Sequence, residues 1–355
     1  MAAILILIFA PAAHLFGSDS ARDSVESVAA MIDIEYWQEE MLAFNPWARR
    51  AWKIRSNLIE AKVWNLNALD QGGNQQTNEW LKAFFAEREQ ASLQRWRQGR
   101  EAWADWAART QLMINAFDAA GLWDTRSPGS PPIPTRDGRG ALANLSPTMP
   151  EYTRDFLMAD VLLLARADFS GLEIGSEADF SGYDFPAGVR FSDSNIGADV
   201  NFEAAHFGDH TSFAGMKTQL GTRANFRKAR FERWADFTMA DIGAEADFAD
   251  SIFGFASSFE ATTIGPKASF ERAEFAESVS FAGANIGYET SFIDARFGNE
   301  ATFEAVTFGE NVSFDRAVFQ GIAAMPKLER GKGPSFNGTS FNGPLPRNIK
   351  YDSEF

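Results

Sequence analysis

The stretch A-S-F-E-R-A-E-F-A-E-S-V-S-F-A-G-A-N-I-G-Y-E-T-S-F, residues 268–292, sets large apolar side chains at Phe270, Phe275, Phe281, Ile286 and Phe292. The intervals are five, six, five and six. A helix buries a stripe at a period near 3.6 and a simple strand alternates at 2, so neither element accounts for this spacing. Two positions before each large residue the side chain is small, as at Ala268, Ala273, Val279, Ala284 and Thr290. In extended backbone, residues i-2 and i point to the same side and the residue between them points away. Each step is therefore a short inward-outward-inward piece followed by a turn. Pieces this short cannot form a flat sheet, so the chain must coil.

Working outward, the same pattern runs from Ala167 to Ile322 in fourteen units, thirteen of 11 residues and the fifth of 13. The first large residue of every unit is Phe: Phe169, Phe180, Phe191, Phe202, Phe213, Phe226, Phe237, Phe248, Phe259, Phe270, Phe281, Phe292, Phe303 and Phe314. The second is Ile, Phe or, once, Leu. These residues are the expected core, each worth about 1.5 to 3 kcal/mol when buried.

The unit resembles the pentapeptide-repeat family, whose pattern is A-(D/N)-(L/F)-x-x. The resemblance covers residues 167–322 and implies a mainly β fold, a right-handed quadrilateral β-helix with four faces per coil. Two units then make a 22-residue coil, and fourteen units about seven coils. At about 4.8 Å per layer the tube would be roughly 34 Å long. The departure from strict fives is one extra residue in the second leg, usually a glycine after the large residue, as at Gly243, Gly265 and Gly287. A corner that needs positive φ would explain those glycines. The 13-residue unit inserts two residues around Met216–Gln219, which should bulge as a loop.

The rest of the chain divides at changes of pattern. Residues 1–17 form an apolar segment, short for a membrane span and lacking the positive n-region of a signal peptide. A membrane anchor, a cleaved export signal and a buried helix all remain open, and with them membrane-associated, exported or cytoplasmic locations. Residues 18–123 read as a Trp-rich α-helical region, with Thr77 capping a long last helix towards Ala120. Its Trp80, Trp96, Trp103 and Trp106 suit either a lipid surface or packing on one another and on the next domain. Glu87, Glu89, Glu101 and Asp105 among the arginines favour packing. Pro and Gly mark a linker at 124–150. A helix at 151–166 is the expected N-terminal cap of the repeats, and 323–355 the C-terminal cap, tail or dimerising segment.

The chain carries a net charge of -15, concentrated in residues 167–320, where 25 acidic face 11 basic side chains. That balance excludes a general nucleic-acid binder. With no cysteine, thiolate chemistry and disulfides are absent. No phosphate-binding glycine loop, HExxH, calcium loop or nucleophile elbow occurs, and carboxylates fall at repeat spacing instead of gathering as an acid-base pair. No catalytic, cofactor or metal residue is therefore assigned and no enzyme is expected. His206, Asp209 and His210 could imitate a metal site, although surface histidines are the default reading. Arg223, Arg227, Lys228, Arg230 and Arg233 form the one basic concentration on an acidic tube. They read either as an interaction patch or as charges balanced by neighbouring coils. The leading expectation is a non-enzymatic scaffold that presents a rigid acidic surface to an unknown protein partner, near a membrane through residues 1–17. Some members of the resembled family imitate duplex DNA and bind type II topoisomerases, which gives one alternative; an exported envelope spacer is another.

Overall fold

The computed structural model describes residues 92–119, 123–124, 133–134, 167–186, 188–328 and 333–344. Over 167–344 the chain is a β-solenoid whose strands are two residues long and pair in parallel with the coil above and below. Four ladders run along it. One has eight strands, from Asp184–Phe185 to Ser340–Phe341, and one has seven, from Glu173–Ile174 to Thr307–Phe308. The other two are chiefly single bridges, such as Asp247 to Ser269 to Ser291 and Asp236 to Ser258 to Ser280. These are the four faces expected from two units per coil. Register confirms the period: Ile264 pairs with Ile286, 22 residues on, whereas Ile196 pairs with Leu220 across the two inserted residues.

Inside, each face contributes one column of side chains. Phe237, Phe259 and Phe281 stack with ring centroids 4.8 and 4.7 Å apart and planes within 3°. Phe248, Phe270 and Phe292 form a second column at 4.8 Å, and Phe231, Phe253 and Phe275 a third at 4.7 and 4.9 Å. The fourth is aliphatic, with Ile242, Ile264 and Ile286 at its centre. Phe columns meet edge to face, as Phe259 does Phe270 at 89°. Both geometries suit the aromatic quadrupole and add about 0.5 to 1.5 kcal/mol per pair. All fourteen unit-opening Phe residues are fully buried.

The coil count is about eight, not seven, because the pattern resumes after an excursion. Met325, buried, occupies the position after Ala324 that Phe303 holds after Thr302 one coil earlier. Phe336 then stacks on Phe314 and Phe341 on Phe319, at 5.3 and 4.8 Å. Sequence reading placed 323–355 outside the coils because residues 326–334 break the spacing.

The glycines have a different cause from the one expected. None of Gly243, Gly265 or Gly287 has positive φ. A Cβ on Gly287 would lie 2.5 Å from Pro266 N and 2.6 Å from Gly265 C, so close approach of coil backbones is the constraint. Gly175, on the first described coil, would meet nothing within 4 Å. Positive φ falls two residues after the first Phe and three after the second large residue, mostly on non-glycine residues such as Asp250, Arg272, Asp294 and Arg316. That conformation costs about 1–2 kcal/mol per residue. Most are held by a backbone bond to the next coil, as Arg272 N–H donates to Ile293 O at 3.0 Å.

The first coil is closed by the Trp-rich helices. The long helix expected from Thr77 is broken at Gly99, whose φ is 97°: a helical segment covers 92–97 and α1 runs Arg100–Ala119. Trp96 stacks on Phe180 at 4.9 Å and 16°, close to the geometry one coil makes on the next. Trp103, 1% exposed, packs against Phe169, Tyr183 and Phe185, and its Nε1–H donates to Asp184 O at 2.8 Å. Arg100 donates to Ser181 O, and Ser92 Oγ accepts from Asp168 N–H at 2.9 Å. Edge groups that would otherwise template another strand are thereby satisfied. These helices cap the first coil; residues 151–166, the cap expected from sequence, and the apolar segment 1–17 lie outside the described residues.

Candidate interaction surface

Alternation puts every second residue of a leg outside, and the corner residues with them, so chemistry is carried by outward columns. At the corner after the second Phe column, Asp250, Arg272, Asp294 and Arg316 follow one another coil by coil. Arg272 donates to Asp250 through Nε and Nη2 at 2.6 and 3.0 Å, and Arg316 to Asp294 at 2.8 and 2.7 Å. The guanidinium bonds hold the Asp250 and Asp294 carboxyls below their ordinary values. The corner after the aliphatic column alternates likewise, with Arg223 on Asp199 at 2.6 Å and Lys267 near Glu289 at 3.8 Å.

The five basic residues singled out from sequence do not share one face. Arg223 stands at the corner before Phe226, Arg227 and Lys228 at the corner after it, Arg230 on the face of Phe231, and Arg233 at the next corner. Four are paired: Arg223 with Asp199, Arg227 with Asp250, Arg230 with Glu232 and Arg233 with Asp209. Lys228 is exposed beside Asp250. Arg223, Arg227 and Arg233 pair across coils, whereas Arg230 pairs within its own coil.

The histidines also separate. His206 lies on the face of Phe207, with Nδ1 2.8 Å from Asp184 Oδ1 and Nε2 3.2 Å from Glu232 Oε1. Hydrogen bonding to Asp184 is the main cause that raises its pKa above 6.5. His210 sits at the next corner, stacked on Trp234 at 4.4 Å, while Arg233 lies 4.8 Å over the same indole. Asp209 is taken by Arg233. Among the described residues no His, Asp and Glu group is arranged to hold a metal ion.

Ion pairing is one-sided, although both sides remain acidic. The ion pairs within the tube lie on the faces of Phe226 and Phe231 and the corners around them. On the other two faces and the corner they share stand Glu173, Asp193, Asp236, Asp241, Glu260 and Glu304, none of which forms an ion pair with a described residue. Asp236 accepts from Thr238 N–H and Glu260 from Ser280 Oγ instead. The total acidity is visible in the sequence but this division is not, because most pairing partners lie on neighbouring coils, as Arg272 and Asp250 do.

Comparison of the chain with protein-family models, with curated proteins and with solved structures returned no match.

Proposed function

We propose that this chain is a non-enzymatic scaffold of the pentapeptide-repeat type whose outer surface receives a protein partner. The supporting observation is the division of labour between its two surfaces. Inward positions are filled by four uniform side-chain columns. Outward positions are mostly polar and acidic: ion pairs run along one side, where Glu203, Glu245, Glu277 and Glu310 nevertheless form none with a described residue, and the other side carries carboxylates without any ion pair. A rigid tube so built presents fixed charge to a partner at little conformational cost. The acidic side also motivates the DNA-mimic alternative, but duplex DNA is charged all round, at about one phosphate per 1.7 Å of axis. The ladders at two corners work against that resemblance. In the scaffold reading, the apolar segment 1–17 holds the tube at a membrane; among the described residues no helix is long and apolar enough to cross one.

Cross-linking of the full-length chain in extracts of its source cells, with mapping of the linked residues, tests the reading. Links to outward tube positions are expected. Links confined to residues before Ala167, or inhibition of a type II topoisomerase by the purified chain, would contradict it. Membrane fractionation tests the anchor separately.

A further inference from the structure

The one irregularity within the fourteen units is the two-residue insertion, and it is built, not slack. Thr218 is buried; its Oγ1 donates to Ala214 O at 2.9 Å and accepts from Asp193 N–H at 2.7 Å. Gly215 has φ 124°, and a Cβ there would lie 2.5 Å from Asp193 Oδ1. This bracing lifts Met216 out of the corner to 83% exposure, the largest value among the exposed large apolar residues described. Gly215 N–H donates to Thr238 O on the next coil, which brings the half-exposed Met239 to the same corner. Exposed Met is costly in water and adapts its shape to a partner.

The corner belongs to the side whose described carboxylates form no ion pair. Asp193 precedes it by one coil, Asp236 and Asp241 flank Met239, and Glu260 follows through its carbonyl, which accepts from Met239 N–H. The cations on these two faces are Lys217 and Arg190. We infer that the Met216–Met239 corner is a docking site for a basic amphipathic segment of a partner protein, with an apolar anchor against the two thioethers and Lys or Arg over the surrounding carboxylates. Charge complementarity decides the class of partner: an acidic or purely apolar segment would leave these carboxylates uncompensated and desolvated. The inference rests on the scaffold reading and names the partner's chemistry.

The test uses the full chain and a fluorescein-labelled, four-turn Leu/Lys helix, with Ser/Lys and Leu/Glu versions of the same length, read by anisotropy. Binding of the Leu/Lys peptide is expected, with at least about fivefold loss for Met216→Ala/Met239→Ala. Asp236→Asn/Asp241→Asn should weaken binding and flatten its salt dependence. Ile252→Ala/Phe255→Ala, which removes exposed apolar side chains from the ion-paired side, should change nothing. Equal loss in that control, equal binding of the Ser/Lys peptide, or no binding of the Leu/Lys peptide overturns the inference. Cross-links from cell extracts to other outward positions would leave the scaffold reading standing while this site failed.

Discussion

Replacing Trp103 by Ala removes the centre of the N-terminal closure. The indole is 1% exposed, contacts Trp106, Phe169, Tyr183 and Phe185, and donates to Asp184 O. Truncating a buried aromatic of this size costs about 3–5 kcal/mol. Leaving the Asp184 carbonyl without its donor adds roughly 1–3 kcal/mol, less if water enters. In a solenoid each coil contacts only its neighbours, so the loss should stay local. Hydrogen exchange of the full chain should then show lost protection across 92–111 and in the first coil, 167–188, with amides beyond Phe248 unchanged. Trp103→Phe keeps much of the packing and loses only the donated bond, so its effect should be about 1–2 kcal/mol. Uniform loss of protection along the tube, or none in the first coil, would refute the capping argument.

Other substitutions separate core from surface. Phe259→Ala removes a ring stacked on Phe237 and Phe281 and should cost about 3–5 kcal/mol by chemical denaturation. Arg316→Ala breaks an exposed pair with Asp294 and should leave the denaturation midpoint nearly unchanged, with any small loss vanishing in high salt. Gly287→Ala forces a Cβ against the backbone of the coil below and should be far more destabilising than Gly283→Ala, where the added Cβ meets nothing and only the φ of 67° opposes it. His206 gains its carboxylate partners on folding, so its folded pKa is raised. Its contribution is full below the unfolded value near 6.5 and is lost as pH rises through the folded value. The denaturation midpoint should therefore fall across that window in the parent chain, and the slope should flatten in His206→Gln.

The sequence period was enough to read the coil, because each inward position repeats at a spacing no other element produces. Two units per turn was an expectation from the resemblance to four-faced coils, and the structure places Ile242, Ile264 and Ile286 on one face and Phe231, Phe253 and Phe275 on another. The glycine mechanism was not legible, because the atoms that crowd Gly287 come from Gly265 and Pro266 one coil away. Nor was the cap. Trp103, Trp106, Ala107 and Thr110 follow helical spacing and are all buried, which marks a packed stripe, but nothing in that stripe says that it packs on Phe169 and Phe185. Of the two readings of the basic cluster, balance by neighbouring coils could be named but its partners could not, because Arg223 to Arg233 are contiguous along the chain whereas Asp199, Asp209 and Asp250 sit on other coils.

The absence of cysteine makes the four-faced, 22-residue coil directly measurable. Ser269 and Ser291 face outward on adjacent coils of one ladder, and Ser280 belongs to a different ladder. Adjacent strands lie about 4.8 Å apart, inside the range a disulfide spans. Ser269→Cys/Ser291→Cys should form an intramolecular disulfide under mild oxidation with the thermal midpoint preserved, while Ser269→Cys/Ser280→Cys should remain reduced. Ready cross-linking of the 11-residue pair, with none of the 22-residue pair, would contradict the coil on which the columns, the ladders and the docking corner all depend.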